Sequence, residues 1–316
     1  MLMCNFFISI YRIYYVMISY KVSILISSYN YAHIIEDTFD SIKNQTFDFD
    51  DIEIIFVDDH SEDNSLEVLG KLADEFENVK VYQVPDGQKG VSYPRNIAIE
   101  KATADYIVIL DADDRLDPEF IEKTYKEITE NDVDMVKTSF FQGFDKKKSY
   151  SQNLGRVVVH PNDSTVLMSS YNYLEPWATM YDRKFLFDNN IRFSTVHKFY
   201  EGFLFAIECI TKTNKDIILL DDYEGYYWNE KVDGLHNVNV TLDQLDNVIE
   251  CFTDMFALLV ADNQPIECIE TFFPFALSLC GSGVFNSTAT DYEKASFLYK
   301  KAFNMEYVEV PARKGE

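Results

Sequence analysis

Short apolar runs alternate with amphipathic stretches along the first part of this chain. Four short runs rich in apolar and β-branched residues predict strands: Val22–Ile26, Ile52–Val57, Val79–Val84 and Tyr106–Leu110. The last run shows no polar alternation, which is typical of a strand covered on both faces. Between the four runs, apolar residues recur at helical spacing and predict helices near residues 32–44, 66–76 and 91–102. The alternation predicts an α/β fold built on a doubly wound, mostly parallel sheet.

The pattern becomes helical after Thr241. Apolar residues at helical spacing predict helices at about residues 242–260, 265–279 and 292–303. We therefore expect three regions: an N-terminal extension of uncertain role at residues 1–20, the α/β domain at 21–240 and a helical C-terminal appendage at 241–316.

Residues 1–20 are apolar and aromatic, but Arg12 interrupts them and they are short for a membrane span. They also lack the small-residue cleavage site of a secretory signal. Two interpretations stay open: a weak peripheral contact with a membrane surface, and a true start at Met17 that leaves residues 1–16 untranslated.

The five cysteines form no Cys-x-x-Cys pair, which is typical of reduced thiols. We predict a cytoplasmic protein that can work at the inner face of the membrane, and the sequence does not determine its oligomeric state.

The formal net charge of −25 argues against nucleic acid as a partner, because phosphate contacts need clustered Lys and Arg. An anionic substrate would need local positive charge, which a bound metal ion can supply. The lysine cluster Lys146–Lys148 is interpreted as a solvated turn.

Polar side chains follow three of the predicted strands where each strand ends. Ser27 and Tyr29 follow the first, Asp58 and Asp59 the second, and the cluster 111–114 the fourth. The carboxyl edge of an open α/β sheet is where ligands bind, and two carboxylates spaced i, i+2 can bind a divalent cation. The alternative is solvated surface, since 53 acidic residues produce such clusters by chance. No Gly-x-Gly-x-x-Gly motif follows the first strand and no P-loop motif is present.

Four segments together carry a family resemblance: Val22–Asn30, Phe56–Ser61, Gly90–Asn96 and Leu110–Asp114. In order and spacing the chain resembles the family 2 glycosyltransferases over roughly residues 21–140, and more weakly to about residue 240. The resemblance implies a GT-A-like fold for the domain at 21–240, a nucleotide-sugar donor and an inverting transfer.

The resemblance also implies roles for individual residues. Ser27 and Tyr29 would line the base of the nucleotide and Asp59 would hydrogen-bond it. Asp111 would face the ribose or the donor sugar, and Asp113 would bind Mn²⁺ or Mg²⁺. Arg95 and Asn96 match a helix start beside the donor pocket, although a structural salt bridge is an equal interpretation of Arg95.

The chain departs from the family pattern at the expected general base. Gly202 occupies the position of the usual Asp, and Glu201 precedes it. Either Glu201 takes the role, or another carboxylate does, or the chain is a nucleotide-sugar-binding pseudoenzyme; a helix-end position is the structural interpretation of Glu201. His236 matches a histidine that faces the metal or diphosphate in some members, and its structural interpretation is an exposed loop residue.

The sequence therefore predicts a metal-dependent hexosyltransferase that moves a sugar, with UDP as the expected carrier, to a hydroxyl acceptor. By analogy the acceptor is a glycan or polyol phosphate of bacterial surface polysaccharide or teichoic acid.

Overall fold

The computed structural model describes residues 19–229, 242–274 and 276 of the chain. Within them the chain forms two compact units that interleave along the sequence. The first unit comprises residues 19–161, Glu175–Phe193 and Thr213–Asn229, and the second comprises Asn162–Leu174, Ser194–Lys212 and the described part of the region from residue 242 onward. The boundary predicted at residue 240, the helix predicted at 292–303 and nearly all of the N-terminal extension lie outside the described residues.

In the first unit, ten described strands form one sheet: β1 Val22–Ser28, β2 Ile52–Asp58, β3 Val79–Gln83, β4 Tyr106–Asp111, β5 Arg115–Leu116, β6 Met135–Gln142, β7 Lys148–Ser149, β8 Arg156–Val159, β9 Thr179–Asp182 and β10 Ile217–Trp228. Its main path runs β3-β2-β1-β4-β9-β6-β10-β5. Strands β1 to β4 pair in parallel, and β10 pairs in parallel with β6. The predicted doubly wound, mostly parallel sheet is confirmed.

Strand β9 departs from the predicted alternation of parallel strands and helices. It pairs antiparallel with both β4 and β6, so it separates two groups of parallel strands. Because two antiparallel steps restore the direction, β6 and β10 run the same way as β4. The carboxyl ends of β1, β2, β4, β6 and β10 therefore lie at one edge of the sheet.

The helices of the first unit are α1 Ile35–Lys43, α2 Ser65–Glu75, α3 Ser92–Lys101, α4 Phe120–Asn131 and α6 Arg183–Asp188. Helix α3 packs on β1 and β2, and α4 packs on β6, β9 and β10. The core between sheet and helices contains side chains fully removed from water, including Ile24, Phe56, Leu110 and Phe120. Burial of such side chains contributes roughly 1.5–3 kcal/mol each.

The second unit is helical in its described part. It contains α5 Thr165–Met168, α7 Glu201–Lys212 and α8 Leu242–Ala261, and residues 266–274 are also helical. Helix α7 packs against α8, and Ser164 donates its hydroxyl to Gln264 Oε1 at 2.7 Å. No described helix is both long and apolar enough to cross a membrane.

Candidate functional site

The strand register brings the predicted polar residues to neighbouring positions. On β1, Ser27 pairs with Asp111 of β4, and Ser28 pairs with Asp58 of β2. The three strands end together, since all are parallel and buried up to these residues. The structure therefore places the hydroxyls and carboxylates of the first, second and fourth strand ends side by side, as the sequence predicted from the geometry of parallel sheets.

Asp58 organises the loop after β2. Its side chain is 0% exposed and accepts hydrogen bonds from the backbone nitrogen of Ser61, at 2.9 Å, and from the Ser61 hydroxyl. Between them His60 adopts a left-handed φ of 61°, which the anchored carboxylate helps to stabilise. Both oxygens of Asp58 therefore accept hydrogen bonds within the protein.

The side chain of Asp59 differs from that of Asp58 in its hydrogen bonding. Asp59 is 7% exposed, and Oδ2 accepts a hydrogen bond from the backbone N–H of Gly90 at 2.9 Å. Oδ1 is buried and has no hydrogen-bond partner within the described residues, and the same holds for the nearby Ser28 hydroxyl. A buried acceptor without a donor costs free energy, on the order of 1–3 kcal/mol. The arrangement suits a ligand that donates an N–H or O–H to Asp59.

Arg95 and Asp111 form an ion pair at the carboxyl end of β4. Arg95 Nη2 lies 2.8 Å from Asp111 Oδ1, and the guanidinium carbon lies 5.1 Å from the centroid of the Phe193 ring. The pair fixes the orientation of a half-exposed carboxylate at the edge of the sheet. The salt-bridge interpretation of Arg95 is therefore what the structure shows, and Arg95 holds a residue that is itself predicted to face the donor.

Asp114 anchors the acidic loop to β10. Its side chain is buried, and it accepts hydrogen bonds from the Tyr226 hydroxyl at 2.6 Å and from the Asn229 backbone N–H at 2.7 Å. The same Tyr226 oxygen accepts a hydrogen bond from the Asp111 backbone N–H at 3.3 Å. Trp177 stacks on Tyr226 with ring centroids 4.6 Å apart. Tyr226 thus links both ends of the turn that carries Asp113.

The contacts of Tyr226 and Asn229 with Asp114 were not predicted from the sequence. Tyr226 and Asn229 lie more than 100 residues from the acidic loop, at separations of 112 and 115 residues, so no local pattern connects them. The signal available was the aromatic run Tyr226–Trp228, directly before the segment that contains His236.

The acidic loop has the donor chemistry of a divalent-cation site. Burial raises the pKa of Asp114 well above its usual range, and the negative charges of Asp111 and Asp113 raise it further. Carboxylate oxygens suit Mg²⁺ or Mn²⁺, which commonly use one or two protein carboxylates together with water and substrate phosphates. Asp113 is 9% exposed, and the described residues contain no cluster of three or more potential His, Cys, Asp or Glu ligands. The residues present fit an ion that is completed by substrate oxygens.

The remaining predicted residues fall into different settings. Ser27 is half-buried beside Asp111, whereas Tyr29 is 37% exposed with Lys89 Nζ 5.0 Å from its ring centroid. Asn96 uses its amide to bind the backbone of Phe193 in both directions, each bond 2.8 Å long. That contact is structural, and it holds the chain after α6 against α3. His236, the second predicted metal ligand, lies outside the described residues.

Glu201 is the first residue of α7 and belongs to the second unit. Tyr200, directly before it, adopts a left-handed φ of 58°, so the chain turns sharply into the helix. Gly202, at the family's usual base position, is buried within α7. The neighbouring Cys251 thiol donates to the Tyr200 carbonyl over 3.6 Å.

The thiol of Cys251 has a raised pKa in the surroundings of Glu201. Burial raises this pKa to about 12, and the charges of Glu201 and Asp254 add to the effect. An unfolded thiol has a pKa of about 8.5, so the stability that this group contributes is complete below that pH and is lost as the pH rises toward the folded value. We expect native Cys251 to resist iodoacetamide at about pH 8 and to react in urea, as followed by peptide mass spectrometry. Equal rates in both states would contradict this.

The sequence model described as "Glycosyl transferase family 2" matches residues 23–193. A poly(ribitol-phosphate) beta-glucosyltransferase from Bacillus spizizenii is 31% identical over 245 residues, which are 77% of this chain and 37% of that protein. The chain thus spans little more than a third of the length of the first curated relatives it matches.

Solved structures show the same fold. S. aureus TarS 1–349, solved in complex with UDP-GlcNAc, has a TM-score of 0.62 at 20% identity, covering 89% of this chain and 71% of that one. A mannosyltransferase from Pyrobaculum calidifontis, solved with GDP-Man and Mn²⁺, has a TM-score of 0.56 at 18% identity, covering 92% and 82%. The GT-A-like fold predicted from the motifs is confirmed, and because the matching family model spans more than half of the chain, the protein belongs to glycosyl transferase family 2.

Proposed function

We propose that this chain transfers a sugar, with inversion, from a nucleoside diphosphate carrier to a hydroxyl acceptor, and that UDP is the carrier. Family membership supports the reaction class. The donor assignment is supported by the buried Oδ1 of Asp59, which has no hydrogen-bond partner in the described part of the chain and lies at the same sheet edge as Asp111 and Asp113. We place the donor site in the first unit, within the domain at 21–240.

The chemistry of Asp59 indicates which part of the donor it contacts. An ionised carboxylate only accepts hydrogen bonds, so its partner must be a donor such as the imide N–H of uracil. Ser27, Ser28 and Tyr29 lie on the strand end and loop beside it and would border the base. The UDP-GlcNAc in the TarS structure is consistent with a uracil carrier for this family member.

The acidic loop would bind the diphosphate end of the donor. Asp113 would hold Mn²⁺ or Mg²⁺, with His236 as the proposed second ligand, and the ion would supply positive charge for the leaving diphosphate. Asp111, oriented by Arg95, would accept hydrogen bonds from the ribose or the donor sugar. Asp114 and Tyr226 keep this turn in place through the contacts described above.

We assign the general-base role to Glu201. In the displacement, the carboxylate takes the proton of the acceptor hydroxyl while the acceptor oxygen bonds to the anomeric carbon. The bond from that carbon to the diphosphate oxygen breaks, and the nucleoside diphosphate leaves with the electron pair. Attack from the side opposite the leaving group gives inversion.

The names of the relatives support the proposed acceptor class. The Bacillus spizizenii relative is a poly(ribitol-phosphate) glucosyltransferase, and S. aureus TarS and TarP are poly(ribitol-phosphate) N-acetylglucosaminyltransferases. We infer a polyol-phosphate or related cell-surface glycan acceptor for this chain.

Replacing Asp59 by asparagine tests the donor assignment. In the amide an NH₂ group replaces one of the two carboxylate oxygens, so the side chain cannot present one oxygen to the Gly90 N–H and another to a ligand N–H. We expect the Kd for UDP to rise about 10- to 100-fold, the effect of losing one hydrogen bond to a charged group. Isothermal titration calorimetry measures it, with the exposed Asp86→Asn as control. An unchanged Kd in Asp59→Asn would remove Asp59 from the base-binding role.

A second candidate function rests on Gly202. Since this residue replaces the usual base, a chain that binds nucleotide-sugar without turning it over is the alternative. UDP binding by calorimetry in the absence of any transfer or donor hydrolysis with Mn²⁺ would favour that alternative.

A further inference from the structure

The β6–β7 hairpin, residues 135–149, carries a cluster of cations that the proposed chemistry does not use. Lys146, Lys147 and Lys148 are all exposed in this turn. Lys147 lies 4.0 Å from Asp145. Neither Lys146 nor Lys148 has a carboxylate within ion-pair distance in the part of the chain that the structure describes.

Lys146 and Lys148 both lie over aromatic rings. Lys146 Nζ lies 5.2 Å from the ring centroid of Phe141 and 5.5 Å from that of Tyr227, two rings that stack on each other. Lys148 Nζ lies 4.3 Å from the centroid of Tyr150. A cation–π contact orients an ammonium group without neutralising it, so its charge remains available to an anion.

Nearby carboxylates are already engaged by other groups. Asp117 accepts hydrogen bonds from the hydroxyls of Tyr223 and Tyr227, Glu224 accepts one from Ser149, and Asp37 pairs with Arg115 at 2.7 Å. These acids lower the local positive potential, but none of them is an ion-pair partner of Lys146 or Lys148 within the described residues.

The hairpin is joined to the acidic loop. Strands β6 and β10 end at the same edge of the sheet as β4, and the Gly143 N–H donates to the Trp228 carbonyl at 2.8 Å. Arg115, the residue after Asp114, places its guanidinium 3.8 Å from the centroid of Phe144. The turn that carries the lysines therefore lies at the same edge of the sheet as the proposed donor site.

We propose that the β6–β7 hairpin docks a phosphodiester polymer, the acceptor, through Lys146 and Lys148. The identification of this polymer as the acceptor rests on the proposed function. The chain carries a net charge of −25, so a polyanionic acceptor is repelled by the protein as a whole and needs local cations to bind. Two ammonium groups that have no carboxylate partner among the described residues, at the same sheet edge as the proposed donor site, meet that need, whereas a neutral glycan has no charge for them to attract.

The test compares Lys146→Gln/Lys148→Gln with Lys71→Gln/Lys184→Gln. Both doubles remove two positive charges, and the control lysines are exposed ion-pair members on α2 and α6. Binding of a labelled ribitol-phosphate oligomer is followed by fluorescence anisotropy from roughly 50 to 200 mM salt. We expect the hairpin double to raise the Kd about tenfold or more, and to lower the slope of log Kd against log salt by roughly one per lysine.

The direct binding assay keeps this proposal separate from the proposed function. If the protein binds the oligomer through the hairpin but shows no transfer activity, the docking surface is supported and the proposed glycosyl transfer is contradicted. Equal Kd values for the two doubles would overturn the docking surface, as would equally tight binding of a neutral oligosaccharide. Hairpin-dependent binding to phosphatidylglycerol vesicles without binding to the oligomer would overturn it too, in favour of a membrane contact. UDP binding should be unchanged in both doubles.

Discussion

Replacement of Asp113 by alanine is expected to abolish the metal-dependent part of the stabilisation that UDP with Mn²⁺ gives the protein. A ligand that binds only the folded state stabilises it by about 2.7 kcal/mol at 100 times its Kd. If Asp113 holds the ion that bridges to the diphosphate, this variant should keep only the shift that UDP gives without metal. Transfer should fall about 10²- to 10³-fold, the usual cost of losing one preorganised electrostatic contact. Thermal unfolding with and without UDP and Mn²⁺, compared with each variant's own unliganded midpoint, measures the first effect.

Asp105→Ala provides the matched control for Asp113→Ala. Asp105 is an exposed acid that directly precedes β4, so it lies at the opposite end of the strand that leads into the acidic loop. It should retain the full shift with UDP and Mn²⁺. A full shift in Asp113→Ala as well would show that Asp113 does not bind the metal.

The second large effect is expected at Glu201. Removing a general base typically lowers kcat about 10²- to 10⁴-fold, because the acceptor hydroxyl must then attack without losing its proton. In Glu201→Gln the Kd for UDP should stay constant while kcat falls, as measured by transfer from a labelled UDP-sugar.

Glu208→Gln is the control for Glu201→Gln. It removes a carboxylate from the same helix, where Glu208 pairs with Lys212 at 2.5 Å. Its kcat should match that of the unmodified protein. If Glu201→Gln also matches it, the base lies elsewhere; if the unmodified protein binds UDP but shows no transfer, the pseudoenzyme alternative holds.

The half of the fold that carries the proposed donor site could be predicted because its sequence signals are local. Val22–Ser28, Ile52–Asp58 and Tyr106–Asp111 are mostly apolar runs with polar ends, interrupted only by Ser23 and Glu53, and parallel pairing then requires those ends to meet. The placement of Asp58 and Asp111 on either side of the end of β1 follows from this single rule. The roles of Asp59 and Asp111 came from the family resemblance rather than from the pattern.

The contacts that orient those residues could not be predicted, since they join distant parts of the chain. Tyr226 reaches Asp114 across 112 residues, and Asn96 binds Phe193 across 97. The antiparallel insertion of β9 between β4 and β6 is equally non-local, because a short run such as Thr179–Asp182 gives no indication of direction. The interleaved second unit depends on the packing of α7 against α8, which periodicity predicts as helices but not as partners.

Gly90 has a consequence for selectivity through its bond to Asp59. The glycine has a φ of 117°, a conformation that L side chains rarely adopt, and its N–H fixes one oxygen of the carboxylate. A carboxylate immobilised before the nucleotide arrives loses little rotational freedom on binding. The main-chain amide of Gly90 would thus hold Asp59 in place to discriminate between nucleobases. A mutation at residue 90 would broaden the range of nucleotide carriers that bind, without altering any side chain that contacts the nucleotide.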